Sequence, residues 1–321
     1  MRVLITGGAG YVGSTLAPLL LAAGHKVRVL DRLLYGGESL LGVWSHPDFD
    51  FIHGDVRDRE TLRQAVSECD AVVHLAAIVG DPACAREPEI ARAVNLDASM
   101  NLIEESRKAG VQRFVFASTC SNYGKMKDPT QFVNEESELQ PVSLYAETKV
   151  AVEKFLLESA ANGWCPTPLR FATVFGVSSR MRFDLTVNEF TMEMITKKHL
   201  AVFGEQFWRP YVHVFDAARG IALILSSPPQ AVAGRVFNVG STDQNLQKQQ
   251  IVELIRPSAP DAKVEFVHKN EDPRDYRVSF DRILGELGYK TTRTVGEGIL
   301  EVAKLVRAGA ISNLADNRYR N

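Results

Sequence analysis

Thr6-Gly7-Gly8-Ala9-Gly10-Tyr11-Val12-Gly13 is the stretch that decides how this chain folds. A short apolar run, Arg2-Val3-Leu4-Ile5-Thr6, leads into it, and a helical run, Ser14 to Ala23, leaves it. Gly24 ends that helix, and Lys26 to Leu30 reads as a second strand with an acid, Asp31, at its end. The pattern is a β-α-β unit with a glycine-rich first turn. Such a turn lets the backbone approach a pyrophosphate, which takes hydrogen bonds from the free N–H groups of the helix N-terminus. A carboxylate at Asp31 can accept hydrogen bonds from a ribose diol and would repel a 2′-phosphate, so NAD is favoured over NADP. Arg32 beside it could hold that phosphate, but the preferred reading is a solvated loop residue. Pro18 removes a helical hydrogen bond, so a kink or a late helix start is expected there.

Outward from this unit the alternation continues. Phe49 to His53 is a third strand, followed by Gly54-Asp55-Val56, and Asp58 can cap a helix that runs to about Ser67. Ala71 to Leu75 is a fourth strand, and Ala76-Ala77 follows at the carboxyl end, where doubly wound sheets bind ligands. His74 lies within the strand and reads as a core histidine. A loop from Val79 to Pro88 holds Cys84, and a helix from Glu89 to Ala109 carries Asn95. The fifth strand, Arg113 to Ala117, delivers Ser118-Thr119-Cys120-Ser121 to the same edge of the sheet, and Pro166 to Phe171 is a sixth. The fold class is therefore α/β: a doubly wound, Rossmann-type parallel sheet over residues 1–172, to which 211–240 returns. Residues 173–321 form mainly a smaller α/β lobe with less regular alternation. Helices are expected at Val187 to Lys197, Phe215 to Ser226, Lys248 to Ile255 and Val295 to Ala308. Strands are expected at Arg209 to Val214, Arg235 to Val239 and Lys263 to Val267, and Arg318 to Asn321 reads as a loose tail.

Ser143-Leu144-Tyr145-Ala146-Glu147-Thr148-Lys149 opens a further helix after Pro141. Residues four apart share a helix face, so Tyr145 and Lys149 project side by side. A free phenol titrates near ~10, and an adjacent ammonium favours the phenolate, which suits Tyr145 to act as a base near neutral pH. A hydroxyl at Thr119 would meet that face if the helix packs alongside the fifth strand.

Composition narrows the function classes. The chain has 321 residues and a formal net charge of −2, which gives no general electrostatic reason to bind nucleic acid or a membrane surface. No apolar run reaches membrane-spanning length, and the first strand begins at Arg2, so neither a membrane span nor a signal peptide is expected. The four cysteines, Cys69, Cys84, Cys120 and Cys165, have neither metal-ligand nor disulfide spacing. No metal is expected, and a reducing cytoplasm fits.

Together these stretches resemble the extended short-chain dehydrogenase/reductases, in the nucleotide-sugar epimerase and dehydratase branch, over nearly the whole chain. The resemblance implies NAD as cofactor, held by Gly7, Gly10, Tyr11, Val12, Gly13, Asp31, Arg32, Asp55, Val56, Leu75, Ala76, Ala77, Asn95 and Ser118 together with Tyr145 and Lys149. It implies Tyr145, Lys149 and Thr119 as the catalytic set acting on the C4 hydroxyl of a nucleotide-diphosphate sugar. The related 4,6-dehydratases carry Asp and Glu directly after the catalytic Thr. Here Cys120 and Ser121 stand there, which favours C4 epimerisation. Arg209-Pro210-Tyr211-Val212-His213-Val214-Phe215-Asp216 resembles the family stretch whose Arg grips the diphosphate, with Pro210 as a departure. Asn188, Arg274 within Asp272-Pro273-Arg274-Asp275-Tyr276-Arg277, and Thr173 where relatives carry Asn are implied substrate contacts, with Cys84, Cys120 and Ser121 shaping the pocket. A homodimer is expected from the resemblance. An NAD(P)H-dependent 4-ketosugar reductase and a non-catalytic cofactor-binding scaffold are the competing readings.

Overall fold

The computed structural model describes residues 1–125, 128, 131–160, 163–270 and 274–321. The chain runs β1 (Arg2–Thr6), α1 (Gly13–Ala22), β2 (Lys26–Asp31), β3 (Phe49–His53), α2 (Arg59–Val66), β4 (Ala71–His74), α3 (Asp81–Arg86), α4 (Pro88–Arg92), a π-helical turn (Ala93–Asp97), α5 (Ala98–Lys108) and β5 (Arg113–Thr119). It continues through α6 (Leu144–Glu158), β6 (Cys165–Phe171), β7 (Thr173–Phe175), α7 (Thr186–Thr196), β8 (His199–Phe203), β9 (Trp208–His213), α8 (Val214–Ser226) and α9 (Pro229–Val232). The last elements are β10 (Phe237–Val239), β11 (Asn245–Gln247), α10 (Lys248–Ile255), β12 (Lys263–Val267), α11 (Asp281–Leu287) and α12 (Val295–Arg307).

Seven parallel strands form one sheet in the order β10-β6-β5-β4-β1-β2-β3. The order reverses between β1 and β4, so their carboxyl ends diverge and open a crevice. Alternate residues of each strand serve opposite faces. Val3, Ile5, Val27 and Val29 pack with Leu16, Leu20 and Ile221 on one side. Leu4, Leu30, Val72 and Phe114 pack with Leu62, Leu102 and Val152 on the other. Helices cover both faces, which is why these strands are apolar throughout. A three-stranded sheet, β11-β9-β7, and a two-stranded one, β12-β8, carry the rest of the second half. Among the described residues no helix is long and apolar enough to cross a membrane.

Four local expectations change. α1 starts at Gly13, not late, and runs through Pro18, which sits on its exposed side, where water can serve the carbonyl left without a partner. The segment read as a loop to Pro88 and one helix to Ala109 is instead three helices interrupted by the π turn. That wider turn carries Asn95, whose side chain accepts from Ile78 N (2.8 Å) and donates to Ile78 O (2.9 Å). The short strands β7, β8 and β11 and helix α11 carried too few periodic residues to be read. The segment 318–321 is docked rather than loose: Phe183 N donates to Tyr319 O at 2.8 Å, and the Phe183 and Tyr319 rings meet edge-on at 6.1 Å. A single aromatic contact and backbone bonds leave no pattern in so polar a stretch.

α6 is tied to the sheet by charge. Glu153, 2% exposed, takes a bidentate hold from Arg170 of β6, with Nη2 at 2.8 Å and Nε at 3.2 Å, and accepts from Asn122 Nδ2 at 2.8 Å and from the Ser118 hydroxyl. Removing one partner of such a pair leaves an uncompensated buried charge. Glu153→Ala is therefore expected to lower unfolding free energy by about 3–5 kcal/mol. Urea denaturation checks this, and a loss below about 1 kcal/mol would show that the pair is dispensable.

Candidate active site

A cavity of about 700 Å³ runs along the carboxyl ends of β1 to β6. Its floor is the glycine-rich turn. Gly7 has φ +75°, and a Cβ there would lie 2.7 Å from the backbone nitrogen of Ala76. A Cβ on Gly13 would lie 2.6 Å from Gly7 O, so neither position tolerates a side chain. Gly10, Tyr11, Val12, Leu75, Ala76 and Ala77 line the same floor. Asp31 stands at the end of β2, with Oδ2 accepting from Ala9 N at 3.0 Å and Oδ1 from Leu33 N at 2.8 Å. Burial pushes its carboxyl above the ordinary range, partly offset by those two bonds. Asp55 and Val56 line the far wall; Asp55 pairs with Arg57 at 2.7 Å and with Arg32 at 3.4 Å. Arg32 thus lies at the rim, on a carboxylate. A backbone cradle closed to any Cβ, small residues beyond it and a carboxylate at the end of β2 fit a dinucleotide.

α6 and β5 carry the other end of the cavity. The hydroxyl of Ser143 caps α6, accepting from Ala146 N at 3.3 Å. Tyr145 opens its first turn and Lys149 lies one turn on. Lys149 is 3% exposed, donates to Ala117 O at 2.8 Å, and sits 4.7 Å from the Phe116 ring centroid and 5.8 Å from that of Tyr145. Burial lowers its pKa to about 8. The Tyr145 phenol moves the opposite way from the expected direction: burial raises it, and the Cys84 thiol and Asp81 add to the rise. The ammonium is directed at the Ala117 carbonyl, so in the protein alone it does not offset the desolvation of the phenol. Thr119 ends β5 in the cavity wall, its Oγ1 accepting from Ser121 N at 3.1 Å. Ser121 Oγ lies 3.3 Å from the Tyr276 hydroxyl. Ser118 lines the cavity, but its hydroxyl turns away to Glu153.

Thr173, Arg209 and Arg274 line the remaining wall. Arg209 donates to Trp208 O at 2.7 Å and to Arg274 O, and its guanidinium lies 5.5 Å from the Tyr276 ring centroid. Arg274 pairs with Asp81 at 2.9 Å, and Asp81 also accepts from Ser143 Oγ at 2.7 Å. Asp272 and Pro273 of that stretch lie outside the described residues.

Four expected contacts are absent from the cavity lining. Cys84 is fully buried and donates to Ile78 O at 3.3 Å. Cys120, 1% exposed, donates to Arg170 O at 3.3 Å. Asn188, fully buried, accepts from Gly176 N at 2.9 Å and donates to Arg182 O at 2.9 Å and to the Tyr11 hydroxyl at 3.2 Å. Asn95 holds Ile78 and shapes the loop after β4 without facing the cavity. Each is a small polar group satisfied by buried backbone, which side-chain identity does not reveal. Conversely, Asp81, Tyr276, Arg180 and Arg182 were not singled out, yet they line the cavity. None of these four had a readable signal; Glu153, behind the lining, did, four residues beyond Lys149 on the same helix.

A model of the NAD dependent epimerase/dehydratase family matches residues 3–240. The chain belongs to this family. Over 94% of its length it is 29% identical to a UDP-glucose 4-epimerase from Corynebacterium glutamicum, of which it covers 94%. It is likewise 29% identical to a dTDP-glucose 4,6-dehydratase from Actinoplanes, over 96% of this chain and 98% of that one. The solved Thermus thermophilus UDP-glucose 4-epimerase complex with NAD superposes with a TM-score of 0.83 at 28% identity, covering 97% of this chain and all of that one (100%). The protein is thus an enzyme of the NAD-dependent epimerase/dehydratase family, with NAD as its cofactor.

Lys149 yields a pH test. Its pKa falls from 10.5 to about 8 on folding. Between those values the unfolded chain holds the extra proton, so this residue's contribution to stability rises with pH across that window and is least favourable below it. Urea denaturation of wild type and Lys149→Met at pH ~7.5 and ~9.5 measures the effect. The difference is expected to shift in favour of wild type at the higher pH. A difference that does not move would show that Lys149 keeps its proton throughout.

Proposed function

We propose that this enzyme epimerises a nucleotide-diphosphate sugar at C4 through a transient 4-keto sugar. The observation that carries the reading is the surroundings of Thr119. A 4,6-elimination needs an acid and a base beside the reacting sugar in addition to the Tyr145 position. Here the thiol after Thr119 is buried against the Arg170 carbonyl, and the next residue, Ser121, meets the Tyr276 phenol. The carboxylate facing this end of the cavity, Asp81, is engaged by Arg274 and Ser143.

In this reading Tyr145 takes the proton from the C4 hydroxyl and returns it after inversion. Lys149 stabilises the developing phenolate, at the cost of its bond to Ala117 O. Thr119 donates to the reacting oxygen. NAD held by the glycine-rich turn and Asp31 would supply the hydride acceptor and donor for C4. Arg209 and Arg274 hold the diphosphate, so that the sugar turns over about a fixed anchor and presents its other face. Similarity to UDP-glucose 4-epimerases supports the reading and makes UDP-glucose the first substrate to try.

Purified enzyme incubated with UDP-glucose, UDP-galactose and dTDP-glucose in deuterated water, followed by NMR, tests it. Epimerisation returns hydride to the carbon it left, so the C4 epimer is expected without solvent deuterium on carbon. A 4-keto-6-deoxy sugar carrying solvent deuterium at C5 would overturn the proposal in favour of dehydration. Tyr145→Phe is expected to lower kcat by about 10²–10⁴-fold while bound NAD is retained.

A further inference from the structure

Arg180 lies between β7 and α7, and its segment is fastened to the glycine-rich turn. Tyr11 donates its hydroxyl to Gly176 O at 2.6 Å, Ser178 Oγ donates to Tyr11 O at 2.7 Å, and Arg180 N donates to Ser14 Oγ at 3.3 Å. The guanidinium lines the cavity and is stacked 3.9 Å from the centroid of the Tyr35 ring, just beyond Asp31. Its Nη2 donates to Arg320 O at 3.1 Å, a bond supplied by the docked 317–321 segment.

The residue is 5% exposed, and its Nε is buried without a hydrogen-bond partner among the described residues. Arg209 donates to the Trp208 and Arg274 carbonyls, while two other buried arginines sit on carboxylates, Arg170 on Glu153 and Arg182 on Asp184. Arg180 makes no such pair among the described residues. Asp184 is engaged by Arg182 and accepts from Asn321 N at 3.2 Å, while Asp31 accepts from Ala9 and Leu33. Burial and the neighbouring Arg182 lower the Arg180 pKa to about 10. Asp184 and Asp31 are near enough to act on it through space, but a buried guanidinium with no carboxylate bonded to it is costly unless an anion completes it. A guanidinium presents planar donors that match phosphate oxygens, and its position over the Tyr35 ring holds it in place.

We propose that Arg180 is an anion clamp that closes over the pyrophosphate of NAD, opposite the N-terminus of α1. The site is placed by its neighbours: Ser14 belongs to the first turn of α1, and Tyr35 follows the carboxylate that faces the adenosine ribose. Arg209 and Arg274, assigned above to the sugar's diphosphate, come from β9 and from the segment after β12. The inference rests on NAD as cofactor and not on epimerisation, because a dehydratase in this cavity, which also regenerates its NAD, would have the same use for the clamp. A clamp supplied from beyond β7 slows cofactor loss, as suits an enzyme that regenerates NAD within each turnover.

Calorimetric titration of NAD-stripped wild type, Arg180→Gln and Arg180→Lys with NAD, ADP-ribose, adenosine, 2′,5′-ADP and UDP tests the assignment. Nucleotide released on denaturing each freshly purified protein gives a second readout. Arg180→Gln is expected to weaken NAD and ADP-ribose about tenfold to a hundredfold, to leave adenosine unchanged, and to reduce the NAD carried through purification. Arg180→Lys keeps the charge but loses the planar stack, and a loss of a few-fold is expected. That variant decides the matter should the Gln variant not fold. Unchanged ADP-ribose affinity in a folded variant would overturn the proposal. An equal loss for adenosine would assign Arg180 a packing role. A greater loss for 2′,5′-ADP than for ADP-ribose would move the anion to a 2′-phosphate, and a loss confined to UDP would move it to the substrate; each of these also overturns the proposal.

Discussion

The close approach between the β1–α1 turn and the end of β4 governs this molecule. With φ +75° at Gly7 and no room for a Cβ against the Ala76 backbone, the chain leaves β1 and turns directly over the neighbouring strand. Gly13 repeats the constraint against Gly7 O, which brings the N-terminus of α1 onto the same spot. The strand order reverses there, so a helix N-terminus, a crevice and the ends of the central strands coincide. The cofactor floor follows from backbone geometry before any side chain chooses a ligand.

Charge is distributed around that floor in two ways. Glu153 and Arg170 form a closed pair with hydrogen bonds from Ser118 and Asn122, and they make the union of β5, β6 and α6 rigid behind the reacting groups. Lys149 and Arg180 are buried without a carboxylate bonded to either among the described residues, and both face the cavity. A desolvated cation in a cleft marks a place built for a negative charge, whether fixed in a ligand or developing during a reaction. The raised Tyr145 phenol belongs to the same arrangement, since a phenol buried in a cleft stays protonated until positive charge stabilises its anion.

Membership of the epimerase/dehydratase family settles the cofactor and the class of chemistry, while the relatives at 29% identity divide between epimerase and dehydratase. An elimination needs an acid and a base beyond those of a simple hydride exchange, so the side chains beside Thr119 bear on the choice between the two. The residues after Thr119 are consequently more informative than the overall fold, which both kinds of relative share.

The sequence by itself determined the parts whose meaning is local. The glycine spacing, the acid at the end of β2 and the four-residue interval from Tyr145 to Lys149 each rest on neighbouring backbone, and each stands at the cavity. Only the tertiary structure decided which way side chains at strand ends and in irregular segments turn. Cys120 and Ser121 are adjacent, yet one bonds the Arg170 carbonyl in the core while the other meets Tyr276. Asn188 and Cys84 hydrogen-bond buried backbone and lie outside the cavity lining. Arg274 meets Asp81 across 193 residues of chain, and Arg180 rests on Tyr35 and the Arg320 carbonyl. Contacts between residues so far apart in sequence depend on how packed elements meet. No periodicity along the chain records that meeting, because periodicity reports only the faces of a single helix or strand.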